Sequence, residues 1–166
     1  MTDRDRLVDA VGQLHDAVDA LTAPMWRAHA ERIRCGRGCA GCCVDELSVV
    51  WPEAERIRRR YPALLREAVP HPPGACAFLD PEGACRVYEA RPYVCRTQGL
   101  PLRWVGADGE RRDICELNED AAEPIEDLRA STCWTLGPFE QRLAAWGEAS
   151  GHPRVRLRDL FERSEP

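Results

Sequence analysis

The sequence predicts a small α+β fold, a single domain of helices and short β-hairpins arranged around a cysteine cluster. Three observations predict it. Apolar residues recur at helical spacing over 3–30 and again over 139–149. Two turn signals, Asp80-Pro81-Glu82-Gly83 and Gly106-Ala107-Asp108-Gly109, each separate short strand-like runs. Nine cysteines lie between residues 35 and 133, four of them within nine residues. A chain of 166 residues can build one domain with a sizeable core but not two comfortable ones. The expected organisation is an N-terminal amphipathic helix at 1–30, a cysteine-cluster domain at 31–120, and a C-terminal helical extension at 121–166 packed on the same domain.

Composition narrows the class of partner. Apolar residues make up 44% and charged residues 31%, the balance of a globular chain. The formal charge of −5 offers no overall attraction to nucleic acid or to an anionic membrane. Arg58-Arg59-Arg60 has no aromatic residue interleaved with it and reads as a solvated helix end. The N-terminus, Met-Thr-Asp-Arg-Asp-Arg, is charged and lacks an apolar core, and no apolar run reaches membrane-spanning length. The expectation is a cytoplasmic protein whose thiols stay reduced, where clustered cysteines bind metal or do redox work more often than they form disulfides. The odd count also sits badly with a closed disulfide framework.

The elements follow in order. Leu7, Val11, Leu14, Val18, Leu21 and Met25 alternate by four and three, a heptad-like stripe on one long helix. Thr2 is placed to cap it, with Asp3 and Asp5 at the positive end of the helix dipole. Pro24 lacks an N–H and crowds the preceding turn, so a kink or break is expected near Thr22–Ala23. The stripe suits packing on the chain's own domain; the sharper alternative is a protein partner or homodimer through residues 3–25. Pro52 suits the first turn of a helix to Arg60, and Tyr61-Pro62 ends it and starts another to about Val69. Residues 70–75, Pro-His-Pro-Pro-Gly-Ala, form a stiff linker. The turn at 80–83 should fold Ala77–Leu79 back on Cys85–Tyr88 as a hairpin, bringing Cys76 near Cys85. Glu89–Cys95 reads as one or two helical turns. Residues 102–105 and 111–115 form a second hairpin with Asp108-Gly109 at its turn. Residues 118–127 are acidic and loop-like or weakly helical. Gly137-Pro138 opens a helix over Phe139–Ala149, and residues 154–163 read equally as a strand at Val155–Leu157 or a helix over Leu157–Arg163.

The chemistry is concentrated in Cys35-Gly-Arg-Gly-Cys39-Ala-Gly-Cys42-Cys43. Short spacings of this kind bring sulfurs to one ion from a single turn, while distant cysteines close the site. Glycines between the thiols allow the tight turns this needs. Cys35, Cys39 and Cys42 can face one centre. Cys43 is the immediate neighbour of Cys42, and adjacent side chains diverge, so it more easily serves a second centre or a bridging position. Cys76, Cys85, Cys95 and Cys115 then complete eight thiols, enough for two four-ligand sites or one compact multinuclear site. The ion expected is zinc or iron, the latter as a single ion or an iron–sulfur cluster. Arg34, Arg37, Arg86, Arg91 and Arg96 adjoin these cysteines and could offset the thiolate charge by hydrogen bonds to sulfur, or could be ordinary surface arginines.

Cys35-x3-Cys39-x2-Cys42 also matches the cysteine loop of radical S-adenosylmethionine enzymes, but this chain is too short for the partial barrel that those enzymes need. The wider pattern is more specific. Cys35-x3-Cys39-x2-Cys42-Cys43, Cys76-Ala-Phe-Leu, Gly83-Ala-Cys85-Arg-Val-Tyr88-Glu-Ala-Arg91-Pro92 and Cys95-Arg96 together resemble the YkgJ-type cysteine-cluster family, a zinc- or iron-chelating domain related to flagellin lysine-N-methylases. Thr97-Gln98-Gly99-Leu100-Pro101-Leu102 and Cys115-x-Leu117-Asn118 resemble one branch of it. The first gap departs from the family pattern, three residues here against two. The resemblance implies metal ligation by Cys35, Cys39, Cys42, Cys43, Cys76, Cys85, Cys95 and Cys115. It also keeps open an iron–sulfur enzyme of methyl-transfer or redox type. A thiol-redox sensor switching at Cys42-Cys43 or Cys39-x2-Cys42 is the third class. Cys133, beside Trp134, reads as a buried structural thiol. His15, His29, His71 and His152 read as exposed or capping residues, with His71 near enough to Cys76 to reach a metal.

Overall fold

The computed structural model describes residues 2–119 and 122–161. Helix α1 (Asp3–Ala28) is the longest element. A capping box starts it: Asp5 N–H donates to Thr2 Oγ1 at 3.1 Å, and Thr2 N–H donates to the Asp5 carboxylate at 2.8 Å. The Thr2 N–H, the Thr2 hydroxyl and Arg59, all donating to the Asp5 carboxylate, hold its pKa down at about 2. Val8, Val11, Leu14 and Val18 are buried, so the stripe packs inside its own domain. The stripe then fades, with Leu21 exposed and Met25 half-buried.

Pro24 does not end α1, which runs unbroken to Ala28. Met25 and Trp26 pack against the core beyond the proline, so tertiary contact holds the last turn despite the missing N–H. Helix α2 (Trp51–Arg60) and helix α3 (Pro62–Glu67) form as the sequence predicts. The arginine run is a solvated helix end, where Arg59 bonds Glu55 at 3.1 Å and Asp5 at 2.9 Å.

Strand β1 (Ser48–Val49) precedes α2. Helix α4 (Tyr93–Thr97) follows a 3-10 turn at Tyr88–Ala90. Strands β2 (Leu102–Gly106) and β3 (Gly109–Asp113) form the second hairpin. Gly106 pairs with Gly109, so Ala107–Asp108 occupy the turn, one residue earlier than expected. Strand β4 (Trp134–Thr135) adds parallel to β2 and makes a sheet of order β3-β2-β4. Helix α5 (Pro138–Ser150) follows, and its Leu143, Phe139 and Trp146 join the core beside α1. Strand β5 (Val155–Arg156) pairs antiparallel with β1. A 3-10 turn at Leu157–Leu160 then ends the described chain; Glu162 and Arg163 of the alternative terminal helix lie outside the described residues.

The first hairpin is reduced to a turn. A lone bridge joins Leu79 and Cys85, and the Asp80 carboxylate accepts the Glu82 and Ala84 N–H groups at 3.0 and 2.7 Å. The core has two main parts. One gathers Val49, Ile57, Phe78, Leu79, Val87, Leu157 and Phe161; the other gathers Val11, Leu14, Val18, Tyr93, Leu100, Trp134 and Leu143. α1 packs against α2, α4 and α5, and α2 also against α5. Among the described residues no helix is long and apolar enough to cross a membrane.

Candidate metal centre

Residues 35–43 wind through two tight turns. Cys39 N–H donates to the Gly36 carbonyl at 3.0 Å, and Cys43 N–H to the Ala40 carbonyl at 2.9 Å. Of the three glycines, only Gly38 takes a positive φ, 84°. Its backbone lies against the Glu82–Gly83 turn, which places the cysteine loop beside the turn that joins Cys76 to Cys85.

Cys43, Cys76, Cys85 and Cys95 form one group. Cys76 N–H donates to the Cys43 carbonyl at 2.8 Å, and the bridge at Leu79 and Cys85 folds Cys85 back toward Cys76. Cys43, Cys76 and Cys85 pack in or against the first core cluster. α4 brings Cys95 to them. Burial pushes the Cys43 thiol up to about 12, and the nearby Cys42, Cys76 and Cys85 push in the same direction. Cys95 is raised by burial and then by Cys76, Cys85 and Cys43. The four thiols lie near enough to act on one another's charge. Burial likewise raises Cys76 and Cys85, while Arg86 favours the thiolate of each.

Four other thiols lie apart from these. Cys35 and Cys42 are exposed, and Cys39 and Cys115 half-buried. Burial raises the Cys42 thiol, and its neighbours Cys39 and Cys35 add to the effect. The Cys115 backbone is tied to Cys35 through Asn118. Asn118 N–H donates to the Cys115 carbonyl at 2.7 Å, and the Asn118 side-chain amide donates to Cys35 Sγ at 3.3 Å. Cys42 and Cys43 touch both sets: each thiol acts on the other, while Cys42 also feels Cys39 and Cys35, and Cys43 also feels Cys76 and Cys85.

All nine cysteines are free thiols. Among the described residues, no three His, Cys, Asp or Glu side chains converge closely enough to hold an ion as they stand. A cysteine sulfur moves with one χ1 rotation, so backbone placement governs which thiols can meet. The donors fit zinc or iron in kind, since soft thiolates select these ions.

Among the described residues, the neighbouring arginines make no hydrogen bond to sulfur. Arg86 donates to the Ala77 and Val69 carbonyls at 2.7 and 3.0 Å. Arg96, 2% exposed, donates to the Arg91 and Glu89 carbonyls and pairs with Asp19. Arg34 donates to the Glu31 carbonyl. Backbone carbonyls near a folded loop are closer and fixed, so they take the guanidinium donors; the arginines act on the thiols only through charge.

The histidines also differ from expectation. His15 and His29 are buried. His15 Nε2 donates to Glu53 at 3.0 Å, and His29 Nε2 to the Thr132 carbonyl at 2.8 Å. His152 stacks on Trp51. His71 is held by its backbone, with its N–H on the Ala77 carbonyl at 3.0 Å. Cys133 is 1% exposed, as a structural thiol should be.

Three supporting residues carry no sequence signal of this role. Glu53, 5% exposed, accepts the Tyr93 N–H at 2.8 Å and so fixes the start of the helix that carries Cys95. Arg158 donates to the His71 and Ala75 carbonyls at 2.7 and 2.9 Å and pairs with Asp45, clamping the linker before Cys76. Gly99, at φ 99°, lets the Cys35 sulfur approach where a Cβ would stand 2.7 Å from it.

These features define a small α+β protein built on grouped cysteines. The chain belongs to the CxxCxxCC family, described as a "Putative zinc- or iron-chelating domain", whose family model matches residues 34–134. No curated protein and no solved structure matches the chain.

Proposed function

We propose that the protein holds zinc or iron in two four-thiolate centres and uses them as structural staples, in a reducing compartment. The inner centre takes Cys43, Cys76, Cys85 and Cys95. The outer centre takes Cys35, Cys39, Cys42 and Cys115. One observation carries the reading: the Cys43 carbonyl accepts the Cys76 N–H at 2.8 Å and the Leu79–Cys85 bridge folds Cys85 toward Cys76, while Asn118 holds the Cys35 sulfur beside the Cys115 backbone. Four protein sulfurs fill a tetrahedral shell and leave no open position for substrate, which suits a structural role. Bound metal would supply folding energy to a domain whose core is split into small clusters. We assign α1 to the domain's own core, because its stripe is buried there.

Serine substitution tests the grouping. Cys43→Ser, Cys76→Ser and Cys85→Ser should each lower metal content by one ion per chain. Cys39→Ser and Cys42→Ser should do the same while leaving the inner centre filled. Metal content unchanged by both Cys39→Ser and Cys76→Ser would contradict the reading.

A further inference from the structure

We propose that Asn118 is a positioning residue for the outer centre, setting the place of the Cys35 sulfur and giving it a hydrogen-bond donor. The inference rests on the two-centre reading above. Asn118 is 0% exposed, yet every side-chain group has a partner. Its Oδ1 accepts the Arg34 N–H at 2.7 Å. Its Nδ2 donates to the Gly99 carbonyl at 2.8 Å and to Cys35 Sγ at 3.3 Å.

The partners determine which way the amide faces. A backbone N–H only donates and a backbone carbonyl only accepts, so Oδ1 must face Arg34 and the amino group must face Gly99. The second amino hydrogen then points at the sulfur. Donors to a ligand atom fix its orientation and tune the metal it would bind.

The same residue joins three ligand-bearing segments. Through Arg34 it holds the backbone before Cys35. Its own N–H binds the Cys115 carbonyl at 2.7 Å, and through Gly99 it reaches the segment after Cys95. Arg32, 5% exposed, fixes the turn by donating to the Asn118 carbonyl at 3.4 Å and to the Glu123 carbonyl. Gly99 completes the seat, because any side chain there would displace the sulfur that Asn118 orients.

The test compares the parent with Asn118→Asp, which keeps the shape and the acceptor for Arg34 but removes the donor. Both are loaded with cobalt and titrated against a chelator while the sulfur-to-cobalt charge-transfer bands are recorded. One of two ions should bind about 10- to 100-fold more weakly, with its bands shifted and those of the other unchanged. Parent-like affinity and bands at both ions, or equal loss at both, would overturn the inference while leaving the two centres standing. A parent that binds no cobalt would overturn both. A measurement on the parent alone guards against a variant that does not fold. In protein loaded with spin-active cadmium, an Asn118 side-chain amide proton should show scalar coupling to one cadmium nucleus through the Cys35 sulfur. Absence of that coupling would count against the proposal.

Discussion

Cys76 N–H donates to the Cys43 carbonyl at 2.8 Å, joining the two cysteine blocks through their backbones. This bond places a residue of the second block against the last thiol of the first. The chain is held there by the Arg158 clamp on the His71 and Ala75 carbonyls.

Arg158→Ala should therefore loosen the inner centre without touching any thiol. Three carbonyls lose their donors, counting the Pro72 carbonyl at 3.2 Å, and a cost of about 2 kcal/mol is expected. Urea unfolding checks the cost, and chelator competition checks that only the inner metal is released faster.

Glu53 links the core to the helix carrying Cys95. Glu53→Ala would leave the Tyr93 N–H and the His15 ring buried without their acceptor, a loss of about 3 kcal/mol. Glu53→Gln keeps an acceptor oxygen and should lose less. Denaturant midpoints of the two variants, read side by side, check the order.

His15 gives the fold a pH dependence with a definite sign. Burial holds its folded pKa below the ordinary 6.5, against the opposing pull of Glu53. The unfolded chain thus takes up the proton first, so the contribution is complete above about pH 6.5 and is lost as pH falls below it. The lowered carboxyls of Asp5, Asp45 and Glu110 act only near pH 4 and below. Stability of the parent and of His15→Gln, measured at each pH from about 8 to 5, should converge as the solution is acidified. A constant difference would contradict the assignment.

The sequence revealed elements whose patterns are local. The α1 stripe, the Thr2 cap, the proline starts of α2 and α3 and the β2–β3 hairpin are all set by neighbours within a few residues. The crowding of Cys35, Cys39, Cys42 and Cys43 into one loop was legible for the same reason. The distant partners of each were not, because they depend on the Cys43–Cys76 bond and on where α4 packs. Whether the arginines bond sulfur was not legible, because sequence adjacency says nothing of which carbonyls a loop presents. His15 and His29 looked like surface residues because their partners, Glu53 and the Thr132 carbonyl, are far along the chain. Pro24 stays helical because Trp26 packs beyond it, a contact no local rule contains.

The most direct measurement is the metal content and visible spectrum of the full chain purified without oxygen. Two stoichiometric centres are predicted, colourless if zinc fills them and coloured if iron does, with the eight grouped thiols protected from alkylation until a chelator removes the metal. A folded, metal-free protein whose thiols alkylate freely would contradict the account.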